Sequence, residues 1–172
     1  LEYHRQFSHS LFFIPFGALI VALLIFPLVK KSMSLKTVYI ASFLGYVTHG
    51  LLDACTSYGT LLFWPFSYER ITWNNISIVD PLFTIPALVL VGAAIKTKKR
   101  VFSFFSIGWI LFYLSLGFIQ YERALSTANE LAELRGHNPE RITLKPSFGN
   151  LILWKSIYQN KQTFYVDAIR VV

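Results

Sequence analysis

The sequence predicts a mainly α-helical, polytopic membrane protein with about four membrane helices and a small C-terminal α+β segment. Of its 172 residues, 54% are hydrophobic and only 15% are charged, and its mean hydropathy is +0.49. Soluble domains carry about 25% charged residues, so this composition favours an integral membrane protein. A soluble protein with a fully buried helical core is the alternative. It is disfavoured because four long apolar segments in so short a chain leave too little polar surface.

Four apolar segments define the predicted helices. Residues 11–29 and 101–121 have about the 20-residue length that crosses a hydrocarbon core. Residues 37–52 are uncharged, whereas residues 81–95 are shorter and gain length only if residues 76–79 join them. The prolines within these segments do not argue against helices, because membrane helices tolerate proline better than soluble ones do.

The positive charge is concentrated in two connections between these segments. The net charge is +7, and seven of the 16 basic residues lie in connections that contain no acid: Lys30, Lys31 and Lys36, then Lys96, Lys98, Lys99 and Arg100. By the positive-inside rule, both connections are predicted to be cytoplasmic. A nucleic-acid-binding stripe is the competing interpretation. Because these charges flank apolar segments without an aromatic stacking pattern, we expect a lipid bilayer and no nucleic acid as partner.

The sequence changes character after residue 121. Residues 122–135 contain helix formers with periodic apolar positions. Residues 151–158 and 163–172 are β-rich and flank Asn160-Lys161, which predicts a hairpin. This C-terminal segment would either cover the site as a lid or serve as a stable cap. We therefore predict two domains: a membrane-embedded helical domain, 1–121, which carries the site, and a small extracytoplasmic helix plus β-hairpin segment, 122–172.

The predicted topology brings five potential metal ligands to the extracytoplasmic membrane face. With both basic connections inside, residues 1–10, the connection from about residue 53 to 80, and everything after residue 121 lie outside. The five ligands are His4, His9, His49, Asp53 and Asp80. A carboxylate within an apolar segment is costly unless something pairs with it. The sequence therefore predicts a site for one or two divalent ions, most suited to zinc, with manganese or iron also compatible. His4, His49 and Asp53 would bind one ion, and His9 and Asp80 would complete it or bind a second.

Each of these ligands has an alternative role. His4 could be a disordered terminal residue, and His9 could cap a helix or lie at the membrane interface. His49 and Asp53, which four residues separate and a helix would place on one face, could form a metal-free polar pair. Asp80 precedes a proline and is also a good helix N-cap.

Several short motifs run the length of the chain. They are residues 4–10 (HRQFSHS), 45–53 (GYVTHGLLD), 56–60 (TSYGT), 64–67 (WPFS) with Arg70, 79–82 (VDPL), 146–150 (PSFGN) with Trp154, and 165–168 (YVDA). Together they resemble the YdjM-type family of bacterial inner-membrane-bound, predicted metal-dependent hydrolases, with Gln6 in place of the commoner glycine. That family is distantly similar to zinc-dependent phospholipase C and P1 nuclease, which use helical His and Asp ligands to hold a zinc cluster that cleaves phosphoesters.

The resemblance implies a multi-pass enzyme of the bacterial cytoplasmic (inner) membrane, with its site on the extracytoplasmic side. The expected reaction is metal-dependent hydrolysis of an ester, first of all a phosphoester of a lipid or envelope precursor, by a metal-activated water. Arg5 and Arg70 are candidate catalytic residues that would pair with a phosphate or with ligand carboxylates, although Arg70 could equally be a solvated loop charge. Because the chain opens at Leu1 without a methionine, and the family usually has an upstream segment with its own His and Asp, we expect upstream sequence to be missing.

A non-catalytic metal-binding membrane protein, acting in transport or as a structural or regulatory partner, is the alternative. A transporter should carry ionisable groups near the bilayer midplane, whereas the potential ligands here cluster at one face. The pattern therefore favours an enzyme that acts on a membrane-associated small molecule or lipid. It indicates no particular oligomeric state.

Overall fold

The computed structural model describes residues 7–171, and the chain divides into two compact units between Trp73 and Asn74. Within the described range, four α-helices precede a three-stranded antiparallel sheet. The prediction of a mainly helical chain with a small C-terminal sheet is therefore confirmed.

The first unit contains a short 3-10 turn, Phe7–His9, and two helices, α1 (Ile14–Val29) and α2 (Leu35–Cys55). Ser34 is the N-cap of α2, since its side chain accepts a hydrogen bond from the N–H of Thr37 at 3.2 Å. Such a cap satisfies one of the N–H groups that a helix start leaves without a partner. The start of α2 is thus fixed by a local signal in the sequence.

Small residues allow α1 and α2 to pack closely. Ala18 and Ala22, one turn apart on α1, are fully buried. A Cβ added at Gly17 would lie 3.1 Å from Cζ of Tyr46 on α2, so the Tyr46 ring lies directly over the α1 backbone. Small residues permit this kind of close approach between apolar helices.

The loop that follows α2 folds back on itself and holds the start of the chain. Thr60 and Ile71 exchange two backbone hydrogen bonds of 3.0 and 2.9 Å. Gly59 has a φ of +59°, and a Cβ there would overlap the carbonyl oxygen of Ile71, so the position requires glycine. The N–H of Leu11 donates to the carbonyl of Leu62 at 2.9 Å. The segment before α1 is therefore anchored to this loop.

The second unit begins with two helices, α3 (Pro81–Thr97) and α4 (Arg100–Leu134). Asp80 caps α3, with its Oδ1 accepting from the N–H of Phe83 at 3.2 Å. The predicted helix of residues 122–135 is the C-terminal part of α4, which continues without a break at the predicted domain boundary. Helix formers lie on both sides of residue 121, so the change from apolar to polar side chains does not interrupt the backbone.

The sheet consists of β1 (Ile142–Pro146), β2 (Leu153–Asn160) and β3 (Thr163–Arg170), in the order β1-β2-β3. All neighbours are antiparallel. The predicted hairpin is confirmed as β2–β3, with Lys161 in the turn at a φ of +56°. Strand β1 extends the predicted hairpin by one strand.

One face of the sheet packs on the C-terminal part of α4. The buried sheet residues include Leu144, Trp154 and Ile169. Alanines at four-residue spacing form the buried stripe of the helix: Ala124, Ala128 and Ala132. The Trp154 ring meets the ring of Tyr121 edge-on at 5.9 Å between centroids. The sheet is thus an integral part of the second unit.

Two of the four helices are long and apolar enough to cross a membrane. They are α2, with 21 residues, and α4, with 35. α1 and α3 are also apolar but have 16 and 17 residues, which correspond to about 24–26 Å at about 1.5 Å per residue. Large apolar side chains are exposed on all four helices, as expected of surfaces that face lipid.

Candidate metal centre

Two of the candidate ligands lie one turn apart near the end of α2. The side chains of His49 and Asp53 leave the same face of the helix. The helix ends two residues later, where the backbone N–H and the hydroxyl of Thr56 donate to the carbonyl oxygen of Asp53 at 3.2 and 2.8 Å. This cap fixes the turn that carries Asp53. The Asp53 side chain is 12% exposed and that of His49 is 65% exposed, so the pair has one protected and one open side.

His9 joins this pair from the turn before α1. The turn lies against α2 at Gly50, where an added Cβ would be only 3.2 Å from the carbonyl oxygen of His9. Glycine at this position therefore permits the close approach of the two backbones. The His9 side chain is 16% exposed, so it forms the protected side of the cluster together with Asp53.

The three side chains converge on one point. Nε2 of His9 lies 3.2 Å from Oδ2 of Asp53 and 3.1 Å from Nε2 of His49. Nε2 of His49 lies 3.8 Å from the same carboxylate oxygen. A neutral imidazole nitrogen carries either one proton or one lone pair, so His9 Nε2 cannot make linear hydrogen bonds to both neighbours. A cation at the common point would instead accept one lone pair from each residue.

The donor set and its spacing fit a single divalent ion. Ligand atoms about 2.0–2.1 Å from a tetrahedral zinc ion lie about 3.4 Å from one another. The separations of 3.1–3.8 Å between the three atoms bracket that value. Two imidazoles and one carboxylate leave coordination positions open, as in catalytic zinc and non-haem iron sites. Manganese, which favours oxygen ligands, suits the two histidines less well.

Ser8 contributes to the site and was missed by sequence reasoning. Its Oγ lies 2.9 Å from Nδ1 of His9. A hydrogen bond at this nitrogen fixes the ring orientation and, when Nδ1 carries the proton, leaves the Nε2 lone pair for a metal. The available signal was the hydroxyl residue directly before a candidate ligand, in a short turn that keeps neighbouring side chains close.

Two predicted site residues lie outside the described range, and a third has loop contacts. His4 and Arg5 precede residue 7, so their roles stay predictions. Arg70 donates from Nη1 to the carbonyl oxygens of Tyr58 and Gly59, at 3.4 and 3.2 Å. Its guanidinium thus stabilises the loop after α2, and its predicted catalytic role stays a prediction.

Asp80 belongs to the second unit. Its Oδ1 caps α3, and its Oδ2 accepts a 2.8 Å hydrogen bond from the hydroxyl of Tyr113. The residue is buried. These contacts are those of the helix-capping alternative, and a metal-binding role for Asp80 stays a prediction.

The family model of the YdjM inner membrane protein matches residues 1–124. The matched segment contains His9, His49 and Asp53 and ends within α4. No curated protein and no solved structure matches the chain.

Proposed function

Because the chain belongs to the YdjM inner membrane protein family, we propose that it is a membrane-bound, metal-dependent hydrolase. The observation that carries the proposal is the convergence of His9, His49 and Asp53 on one point. Three ligand side chains, from a turn and from an apolar helix, lie at metal-ligand spacing, and ionisable groups in such membrane segments are rare unless they have a function. A site for a divalent ion with room for a substrate would explain this arrangement.

The residues of the site have different proposed roles. His9 and Asp53, on the protected side, would hold the ion, with Ser8 fixing the His9 ring. His49 would complete the set on the open side, where a substrate can enter. When bound, a divalent ion would lower the pKa of a coordinated water toward about 7 and would polarise the ester. The chain itself contributes the fixed geometry that orients the ester toward the ion.

The substrate that we propose is an ester of a membrane-associated molecule, first of all a phosphoester of a lipid or envelope precursor. The site is at one end of α2, one of the two helices long enough to cross the membrane. We propose that α1 and α3 cross it as well, with the two basic turns in the cytoplasm and the metal centre on the extracytoplasmic side. Membrane substrates can reach such a site without leaving the bilayer surface.

The test is the metal content of the detergent-purified protein beside single-ligand variants. We expect about one zinc, manganese or iron ion per chain. The ion should be lost in His49→Ala and in Asp53→Ala. His137→Ala is the matched control, because His137 lies in the second unit beside Tyr158. Hydrolysis of bis(4-nitrophenyl) phosphate should fall by more than about 100-fold in the same two variants.

The outcomes separate the two functional classes. Metal bound without hydrolysis of any phosphoester would support the non-catalytic metal-binding alternative. A wild-type protein that binds no added metal ion would contradict the metal centre and leave the three side chains as a structural polar cluster.

A further inference from the structure

We propose that a groove along α1 and α2 binds one acyl chain of the substrate, which makes the substrate an amphiphile. This inference rests on the proposed function. The groove has a volume of about 650 Å³ and ends at His9 and His49. Its walls are otherwise almost entirely apolar, with Val21 and Ile25 on α1 and Val38 on α2 among them.

The groove runs along most of the length of α2. Eleven residue steps separate Val38 from His49 on α2, or about 16 Å at about 1.5 Å per residue. The groove continues to Val29 and Met33 beside the α1–α2 turn. A chain in the groove would therefore run from the metal centre along α2 toward the basic turn.

The polarity of the groove matches that of an amphiphile. The metal-ligating atoms are at one end, where a head-group ester would meet the ion. The rest of the wall offers hydrocarbon contacts that favour a methylene chain. Leu24 and Leu28, which neighbour the groove residue Ile25 on α1, are exposed apolar side chains, so we propose that a lipid enters the groove sideways from the bilayer.

Small residues on α2 keep the groove open. Ala41 and Gly45 are part of its wall. A Cβ added at Gly45 would meet no atom within 4 Å. A large side chain there can therefore fill the groove without displacing the backbone. Gly92 on α3 is the matched control, because a Cβ at that glycine also meets nothing within 4 Å.

The experiment is photo-crosslinking in vesicles of phosphatidylglycerol that contain a trace of the same lipid with a diazirine on one acyl chain. We expect wild-type labelling to be enriched on the groove residues of α1 and α2 over the exposed faces of α3 and α4. In Gly45→Phe, the added ring would displace about two methylenes of the acyl chain from the groove. The lost burial corresponds to about tenfold weaker binding, so we expect about a tenfold loss of groove labelling. Gly92→Phe should keep it. If Gly45→Phe fails to fold, Ala41→Phe tests the same wall.

Uniform labelling of all lipid-facing helices, unchanged in Gly45→Phe, would overturn the proposal. So would crosslinks from the groove to a second copy of the chain in place of lipid. If the proposed metal centre is wrong, the result is different: the groove residues are still labelled, but the protein binds no metal. Metal-dependent hydrolysis of bis(4-nitrophenyl) phosphate without groove labelling would overturn the acyl-chain site and leave the hydrolase proposal standing.

Discussion

At the scale of single residues, Gly50 determines how closely His9 approaches α2. A Cβ at this position would be 3.2 Å from the His9 carbonyl oxygen, so the turn must move by a few tenths of an ångström to admit it. We predict that Gly50→Ala weakens zinc binding by about tenfold, a loss of the size that follows from disturbing the support of a metal ligand. Competition with a fluorescent zinc chelator measures the affinity.

The chain offers a matched control for this substitution on the same helix. Gly45→Ala makes the same change where the added Cβ meets no atom within 4 Å. Both variants gain the helix propensity of alanine, so the difference between them isolates the contact with His9. Equal zinc affinity in the two variants would show that the approach of the turn does not control the site.

The sequence predicts part of the candidate site, and the missing part has a physical reason. The four-residue spacing of His49 and Asp53 sufficed to place them together, because helical periodicity is a local property. The sequence placed His9 at the same membrane face, as a ligand that completes the set or binds a second ion, and assigned the position beside His49 and Asp53 to His4. The contact of His9 with Asp53 depends on a turn folding against Gly50, which is a tertiary arrangement without a local pattern.

At the scale of secondary-structure elements, an ion pair joins the end of α4 to β3. The Arg135 guanidinium donates two hydrogen bonds, of 2.7 and 2.8 Å, to the carboxylate of Asp167. Arg135 therefore holds the pKa of Asp167 below its usual value, and the carboxylate holds the pKa of Arg135 above its usual value. Two parallel hydrogen bonds fix the geometry of such a pair.

The pair predicts acid sensitivity of the sheet. Because the folded-state pKa of Asp167 is depressed, its stabilising contribution is fully present above the unfolded value of about 3.9. The contribution is lost as the pH falls through the lower, folded-state value. We predict that Asp167→Asn lowers the unfolding midpoint at pH 7 by about 2–4 °C and flattens the decline at acid pH. Fluorescence of the buried Trp154 reports the transition.

Glu133→Gln is the control for removing one carboxylate near the same end of α4, where Glu133 is exposed. We expect it to unfold like the wild type at pH 7. If the two variants lose equal stability and keep the same pH profile, the Arg135–Asp167 pair does not stabilise the attachment of the sheet.

The elements also show where sequence patterns succeed. In β3, Tyr165, Asp167 and Ile169 alternate with more exposed residues, as the period of two predicts for a half-buried strand. Helix α4 runs through residue 121, because a change from apolar to polar side chains leaves the backbone hydrogen bonds of a helix intact. The residues from 141 onward also favour strands, and strand β1 lies there, with five residues and one fully buried position, Leu144.

At the scale of the whole molecule, helix length and the distribution of basic residues predict different numbers of membrane spans. By length, α2 and α4 are the candidate spans, whereas α1 and α3 fall short of a core of about 30 Å. Local thinning of the bilayer and snorkelling lysines can accommodate a short span. The basic turns between α1 and α2 and between α3 and α4 favour this solution, since each is predicted to lie in the cytoplasm.

Three cysteine positions distinguish four spans from two. In a Cys55→Ala background, we place single cysteines by Ser32→Cys in the α1–α2 turn, Thr97→Cys at the end of α3 and Gln162→Cys in the β2–β3 turn. All three positions are exposed. An impermeant maleimide is then added to spheroplasts, before and after permeabilisation.

With four spans, the two basic turns lie inside, so Ser32→Cys and Thr97→Cys react only after permeabilisation and Gln162→Cys reacts before it. If α2 and α4 alone cross, Ser32→Cys still requires permeabilisation, but Thr97→Cys reacts at once and Gln162→Cys becomes protected. We predict the first pattern, because the second would place four basic residues, Lys96, Lys98, Lys99 and Arg100, outside the cytoplasm against the positive-inside bias. Immediate reaction of Ser32→Cys would contradict both arrangements and move the metal centre to the cytoplasmic side.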